Sequence, residues 1–195
     1  MCETKEKNTD YLVLVNEGNR IPEGFENTAV FVRKESVIGD PFQVEKKTYD
    51  AFCRLQEDVL KNDGIQIELL GSYRTIQQQE EIFEKNVQMR GLEYTKKYVA
   101  KPGCSEHHTG LAVDVGMWLE GKLYYTREDL LSIEHLFEIV HKKLPQYGFL
   151  LRYPKGKKAI TKIAYEPWHY RYIDSPQIAQ KITDQGICLE EYCGN

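Results

Sequence analysis

The chain has 195 residues, of which 41% are hydrophobic and 29% are charged. This length and composition favour one globular domain with a substantial core. The formal net charge of -4 at pH 7 argues against a nucleic-acid partner, which would require a basic face. No run approaches the roughly 18 apolar residues of a membrane span, so none is expected.

The N-terminus and the cysteines bear on where the protein works. Residues 1–8 are polar and charged, without the basic start and apolar run of a secretory signal. We expect residues 1–9 to be a tail and residues 10–195 to form the domain. The five cysteines are an odd number with irregular spacing, which does not indicate a disulfide framework. Free thiols and a cytoplasmic protein are expected; the alternative is the cell surface, if an export segment has been removed.

The first half of the chain predicts alternating strands and helices. In chain order these are a strand over 11–15, a strand over 30–37, a helix over 44–62, a strand over 65–70 and a helix over 75–90. The strands are short apolar or alternating runs, and the first helix has an apolar stripe at helical spacing. Gly64 ends that helix. Thr75 and Gln78 form a capping-box pattern at the start of the next.

The second half predicts a hairpin and two more helices. In chain order the elements are a strand over 112–116, a hairpin joining 117–119 to 123–125, a helix from Thr126 to about Leu144, strands over 149–153 and 160–165, and a final helix from Pro176. The hairpin turns at Glu120-Gly121. Proline suits the first position of a helix because its missing N–H would be unpaired there. The order indicates an α+β fold, a single domain with a small antiparallel sheet flanked by helices.

The segment 105–114, Ser-Glu-His-His-Thr-Gly-Leu-Ala-Val-Asp, contains two good metal ligands seven residues apart. Its small residues, Gly110 and Ala112, let the backbone turn closely around an ion. Asp114 lies in an apolar run, where a carboxylate is costly unless it is paired or bound to a cation. His107 and His108 compete for the histidine ligand position. In an extended segment they would point to opposite sides, and the spacing does not choose between them.

A second segment, Glu166-Pro167-Trp168-His169, places a carboxylate three residues before a histidine. If His169 binds zinc, Glu166 lies within reach of the fourth coordination position and can take a proton from a water there. Three protein ligands and one water are the composition of a catalytic zinc site. Taken alone, His169 would instead be a hydrogen-bonded core histidine. Arg74 directly follows a strand and suits a carboxylate, although its position alone does not exclude a surface ion pair.

Together these motifs resemble the D-alanyl-D-alanine metallopeptidases of the VanY, VanX and VanXY type, relatives of lysostaphin-type endopeptidases and hedgehog zinc domains. The pattern is Ser105-x-His107-x-x-Gly110-x-Ala112-x-Asp114 followed by Glu166-x-x-His169. The similarity covers roughly residues 10–190. It includes the segments 71–74, 94–99, 102–107, 147–149, 153–154 and 165–172.

The resemblance implies a zinc site in a cleft on the sheet. It implies that His107, Asp114 and His169 bind one Zn²⁺ per chain, that Glu166 is the general base and that His108 is not a ligand. No covalent enzyme intermediate is then needed.

The resemblance also assigns substrate contacts. Arg74, Ser105 and Gln79 match positions that contact the terminal carboxylate and scissile region of the substrate, and Tyr153 matches a tyrosine near the reacting carbonyl. Arg74 is expected to act in catalysis, either anchoring the carboxylate or offsetting charge on the tetrahedral intermediate. Trp168 is placed with the substrate-binding residues.

The implied activity is that of a D-alanyl-D-alanine carboxypeptidase acting on the stem peptides of peptidoglycan precursors, with D,D-dipeptidase activity as a second possibility. The substrate is then a small peptide. One alternative is an L,D-carboxypeptidase that trims tetrapeptides. Another is a non-catalytic, hedgehog-like zinc module, against which the retained Glu166 argues. The sequence does not indicate an oligomeric state.

Overall fold

Five antiparallel strands form the main sheet in the computed structural model, which describes residues 8–194. The order along this sheet is β3, β4, β7, β6, with β5 paired to the outer part of β4. A separate two-stranded sheet pairs β1 with β2. The strands are β1 (Phe31–Lys34), β2 (Phe42–Glu45), β3 (Gln66–Gly71), β4 (Ala112–Leu119), β5 (Lys122–Tyr124), β6 (Phe149–Tyr153) and β7 (Glu166–Tyr172).

Helices connect and cover these strands. They are α1 (Lys46–Asp63), α2 (Ile76–Arg90), α3 (Leu92–Tyr98), α4 (Arg127–Ser132), α5 (Glu134–Lys143), α6 (Lys158–Thr161), α7 (Pro176–Asp184) and α8 (Leu189–Cys193). Within residues 8–194, none of them combines the length and the apolar character required to span a bilayer. The α+β class predicted from the sequence is confirmed.

The main core lies between the sheet and helices α1 and α5. Phe52 and Leu55 of α1 are buried against Ile67 of β3 and Val115 of β4, and Phe137 of α5 closes the same cluster. Because the alternate residues of β3 and β4 on this face are apolar, the polar residues of the central strands lie on the other face.

Local capping and turn signals in the sequence are confirmed. Thr75 accepts a hydrogen bond from the Gln78 backbone N–H in a complete capping box at the start of α2. Gly64 ends α1 in the left-handed conformation. Glu120 and Gly121 both have positive φ, 49° and 78°, as a two-residue hairpin turn between β4 and β5 requires.

Two predicted strands are wrong. Residues 11–15 form irregular chain instead, although Val13 and Val15 are buried. Their run of apolar residues fills a small cluster with Phe25 and Leu111 and does not pair with a strand. Residues 160–165 contain the end of α6, because β6 pairs with 166–172 and the intervening chain must turn back.

Two further differences concern helices. The helix predicted from Thr126 to Leu144 is broken at Ile133 into α4 and α5. Helix α3 was not predicted, because its seven residues carry too short an apolar pattern. Of the predicted tail, residues 1–7 lie outside the described part of the chain. Thr9 donates a hydrogen bond to the carbonyl of Thr28 at 2.6 Å.

A buried cluster of charged side chains joins distant parts of the chain. Glu106 Oε1 accepts hydrogen bonds from Arg152 Nε of β6 and Arg171 Nη1 of β7, each at 2.7 Å. Arg152 also binds Glu190 of α8 through both terminal nitrogens. Arg171 Nη2 donates to the backbone carbonyls of Tyr11 and Val13. The backbone carbonyls of the irregular N-terminal segment are therefore paired with an arginine side chain, whereas those of a strand would be paired with a neighbouring strand.

We expect Arg171→Met to reduce the free energy of unfolding by about 3–5 kcal/mol, because it removes one partner from a fully buried ionic cluster. Urea unfolding followed by circular dichroism measures the change. Lys46→Met is the control, because Lys46 and Asp50 form an exposed pair within α1 and its loss should stay within about 0.5 kcal/mol. Equal effects of the two substitutions would show that the cluster does not support the fold.

Candidate metal centre and active site

A single turn of 3-10 helix, Glu106–Thr109, carries the first candidate ligand. Ser105 caps the turn by accepting a hydrogen bond from the His107 backbone N–H at 3.3 Å. Gly110 ends it at φ 72°, where a side chain would collide with the ring of Phe31. The extended segment expected here from the sequence is therefore wrong, because residues 106–109 form a helical turn.

The turn separates the two adjacent histidines. His107 faces the cleft, and its Nδ1 lies 2.6 Å from the carbonyl oxygen of Ser72. His108 turns away: its Nδ1 lies 2.7 Å from the carbonyl oxygen of Arg74, and its Nε2 accepts from the Gly103 backbone N–H. Both ring nitrogens of His108 are thus used inside the protein, whereas His107 keeps Nε2 for the cleft.

The other two candidate ligands lie on neighbouring central strands. Asp114 of β4 is directly opposite His169 of β7 in the antiparallel register. Directly opposed residues project from the same face of a sheet with their Cβ atoms about 5 Å apart. The register therefore brings a carboxylate and an imidazole together without help from any loop.

His107, Asp114 and His169 could together hold a metal ion. One ligand atom from each lies within 4.8 Å of the other two. Asp114 Oδ2 is 3.1 Å from His107 Nε2, and Asp114 Oδ1 is 3.1 Å from His169 Nδ1. Two imidazoles and a carboxylate are the donor types that zinc takes in catalytic sites. The donor set therefore fits zinc and leaves a coordination position toward the cleft.

The surroundings shift the pKa values of the two histidines in opposite directions. Burial, assisted by the Arg74 guanidinium, lowers the pKa of His107 to about 4, which keeps the ring neutral as a metal ligand must be. Burial also opposes charge on His169, but the nearby carboxylates of Asp114 and Glu106 outweigh it and raise the pKa of His169 to about 9. A cation bound at Nδ1 would replace the proton that Asp114 favours there.

Glu166 lies beside the candidate ligands at the start of β7. Its Oε2 is 4.0 Å from His169 Nδ1. In a regular strand two residues three apart would face opposite sides. The pairing of β6 with β7 is irregular between Leu151 and Tyr153, and this irregularity allows Glu166 and His169 to share one side. Burial raises the pKa of Glu166 to about 8.

Arg74 and Gln79 form the wall of the cleft next to Asp114. Arg74 Nη1 donates to Gln79 Oε1 at 2.7 Å, and Arg74 Nη2 is 3.6 Å from Asp114 Oδ2. Gln79 is itself fixed by donating to the carbonyl of Ala100. The guanidinium is thus oriented by an amide and keeps part of its surface, 23%, open to the cleft.

All nine residues singled out from the sequence line one cleft with a volume of about 570 Å³. Besides the residues above these include Ser105, Tyr153 and Trp168. The ring of Tyr153 lies 4.8 Å from the ring of His169, centroid to centroid. The geometry brings these side chains together, while their individual roles stay predictions.

Sequence reasoning missed three contributors to this region. Arg127, at the start of α4, lies over the ring of Tyr98 at 4.1 Å, and both line the cleft. Glu106 lies behind His169, with 3.7 Å between Glu106 Oε2 and His169 Nε2. Nothing in the local sequence around Arg127 marks it. Tyr98 and Glu106 lie in segments 94–99 and 102–107, which the resemblance included, but neither was given a role.

Comparison with protein families gives a match over most of the chain. The family model described as VanY, D-alanyl-D-alanine carboxypeptidase, matches residues 41–175. The bifunctional D-Ala-D-Ala dipeptidase and D-Ala-D-Ala carboxypeptidase VanXYC of Enterococcus gallinarum is 41% identical over 143 residues, 70% of this chain and 72% of that protein.

Solved structures share the fold over nearly the whole chain. A mutant of the vancomycin resistance D,D-pentapeptidase VanY, from a VanB-type cassette and in complex with Zn(II), matches with a TM-score of 0.75 and 30% identity, covering 94% of this chain and 98% of that one. The LdcB LD-carboxypeptidase matches with a TM-score of 0.79 and 31% identity, covering 96% and 87%. The resemblance drawn from the motifs is confirmed, and the chain belongs to the VanY family of D-alanyl-D-alanine carboxypeptidases and is a peptidase.

Proposed function

We propose that this protein is a zinc-dependent D-alanyl-D-alanine carboxypeptidase that removes the terminal residue from peptidoglycan stem peptides. The observation that carries the proposal is the grouping of His107, Asp114, His169 and Glu166 beside Arg74 in one cleft. This set contains metal ligands, a base and an anion-binding group. An exopeptidase that acts on a free carboxylate needs all three.

His107 Nε2, one Asp114 carboxylate oxygen and His169 Nδ1 would hold one zinc ion per chain. When bound, zinc supplies a Lewis acid that polarises the scissile carbonyl and lowers the pKa of a bound water. Glu166 accepts the proton of the attacking water and delivers it to the leaving amine. Burial raises its pKa and a bound cation would lower it again, which suits a group that must both take and return a proton near neutral pH.

Arg74 binds the terminal carboxylate of the substrate in this proposal. Its planar fork can contact two oxygens at once, and the hydrogen bond to Gln79 fixes its orientation. A carboxylate held there places the preceding peptide bond toward the metal ligands, because Arg74 is also close to Asp114. In this proposal Tyr153 contacts the reacting carbonyl, and Ser105 and Trp168 contact the scissile region.

An L,D-carboxypeptidase is the second candidate, because the chain has 31% identity and a TM-score of 0.79 with the LdcB LD-carboxypeptidase. A D,D-dipeptidase activity in addition is supported by VanXYC, which is named for both activities. The three activities share the metal, the base and the carboxylate-binding group. The L,D-carboxypeptidase differs in the configuration of the residue that precedes the scissile bond. The D,D-dipeptidase differs in accepting a free amino group on that residue.

A cytoplasmic location is also part of the proposal. The observation that supports it is that Cys53, Cys104, Cys188 and Cys193 are free thiols. Free cysteines suit a reducing compartment.

We expect His107→Ala and His169→Ala to lose stoichiometric zinc, because each removes one of three protein ligands. Metal content measured by mass spectrometry after dialysis against zinc-free buffer tests this. The matched control is His108→Ala, which removes the neighbouring ring but should keep zinc. Loss of zinc from His108→Ala, with retention in His107→Ala, would reverse the ligand assignment.

Glu166→Gln should keep zinc and lower kcat roughly 10²- to 10⁴-fold, because the amide cannot accept the proton. Glu138→Gln, which changes an exposed carboxylate on α5, should leave kcat unchanged. Near-normal turnover in Glu166→Gln would make Glu166 a structural residue. In the wild type the rate should fall as the pH falls through the pKa of the base. Burial places that pKa at about 8, and the bound cation moves it back toward the ordinary 4.5, so the acid limb should lie between these values.

Substrate recognition is tested with three peptides compared by kcat/KM, their products being identified by mass spectrometry. A pentapeptide ending in D-Ala-D-Ala should be cleaved best. Its C-terminal amide should be poorer by about 2–5 kcal/mol, roughly 30- to several-thousand-fold, because the Arg74 guanidinium loses its charged partner. Faster cleavage of the tetrapeptide would favour the L,D-carboxypeptidase. Equal rates for acid and amide would favour an endopeptidase.

A further inference from the structure

One buried carboxylate oxygen next to the candidate metal centre has no role in the reaction proposed above. Glu106 is fully buried, and its Oε1 accepts from both Arg152 and Arg171. Its other oxygen, Oε2, has no hydrogen-bond partner among residues 8–194. It lies 3.7 Å from His169 Nε2, which is also buried and without a hydrogen bond in the same part of the chain.

The two nitrogens of His169 face two different carboxylates. Nδ1 lies 3.1 Å from Asp114 Oδ1 on the cleft side, and Nε2 points away from the cleft to Glu106. A neutral imidazole carries one proton. If Nδ1 binds the metal, that proton must be on Nε2, where Glu106 Oε2 is the acceptor. The 3.7 Å separation exceeds the upper end of ordinary N–H···O distances by about 0.5 Å.

We propose that Glu106 is a positioning residue that accepts the Nε2–H of His169 and thereby fixes the ring orientation and tautomer needed for metal binding through Nδ1. The inference rests on the proposed zinc function. Carboxylates and carbonyls that hold the second nitrogen of a metal-bound histidine commonly raise metal affinity 10- to 100-fold. Ser72 provides the equivalent contact for His107, where a backbone carbonyl lies 2.6 Å from Nδ1.

The surroundings of Glu106 explain why a carboxylate is needed. Two N–H groups, from Arg152 and Arg171, donate to Oε1, and in this proposal a third, the Nε2–H of His169, faces Oε2. A glutamine at this position has one acceptor oxygen and one NH₂ donor group. Its amide must therefore direct N–H either at the two arginines or at His169 Nε2–H. In either arrangement two donors face each other in a buried site.

The arginine cluster also makes the acceptor rigid. Arg152 is held by Glu190, and Arg171 is held by the carbonyls of Tyr11 and Val13. Each guanidinium is thus anchored on its far side, so the carboxylate between them cannot rotate freely. A fixed second contact is what orients a ligand ring to within a fraction of an ångström.

The test measures zinc affinity by competition with a chromophoric chelator for the wild type, Glu106→Gln and Glu190→Gln. Glu190→Gln is the matched control, because it removes a carboxylate from the same arginine cluster without touching His169. We expect Glu106→Gln to bind zinc roughly 10- to 100-fold more weakly and Glu190→Gln to stay close to the wild type. Unfolding curves of the apo-proteins separate lost stability from lost affinity.

Unchanged affinity in Glu106→Gln, or equal losses in both variants, would overturn the inference while leaving the zinc function intact. A wild type that does not bind zinc would instead refute the proposed function. If Glu106→Gln does not fold, the protonation state of His169 in the wild type tests the proposal instead. Long-range ¹H–¹⁵N spectra of the zinc-loaded protein should show His169 neutral, protonated at Nε2 and bound through Nδ1. Protonation at Nδ1 would contradict the proposal.

Discussion

Glu106 is a buried carboxylate whose charge is balanced by Arg152 and Arg171, and much of the structure is arranged around this one group. Burial by itself would raise its pKa, but the two guanidinium groups hold the pKa well below its ordinary range, so the carboxylate stays ionised. Arg152 and Arg171 lie 46 and 65 positions after Glu106 along the chain. Breaking such a cluster leaves an uncompensated charge, which favours its all-or-none formation.

The candidate metal centre is built directly onto this cluster. His107 follows Glu106 in the same 3-10 turn, and His169 is two residues before Arg171 on β7. The ionic contacts between Glu106 and Arg171 therefore join the turn to the strand. This junction brings His107 to the Asp114–His169 pair, which the β4–β7 register has already formed. The ionic cluster that supports the fold and two of the candidate metal ligands therefore lie on the same short segments of chain.

Features encoded in neighbouring residues could be predicted from the sequence, and features that depend on distant residues could not. The Thr75–Gln78 capping box and the Glu120-Gly121 turn are local, and both were predicted correctly. The candidate ligands, Glu166 and Arg74 were visible in local motifs, the resemblance chose His107 over His108 and added four substrate-binding residues, and all nine line one cleft. Residues 11–15 were wrongly predicted as a strand, because their backbone binds Arg171, 158 and 160 positions away. The role of Glu106 was hidden for the same reason.

The pairing of Asp114 with His169 has a consequence for how the chain reaches its native state. Successive residues of a strand alternate between faces, so a slip of one position between β4 and β7 would put Trp168 or Tyr170 opposite Asp114. A metal ion that needs both side chains recognises only the correct alignment. Ligands that bind one conformation stabilise it over its competitors. Bound zinc would therefore stabilise the correct alignment of β4 and β7, in addition to its part in the proposed reaction.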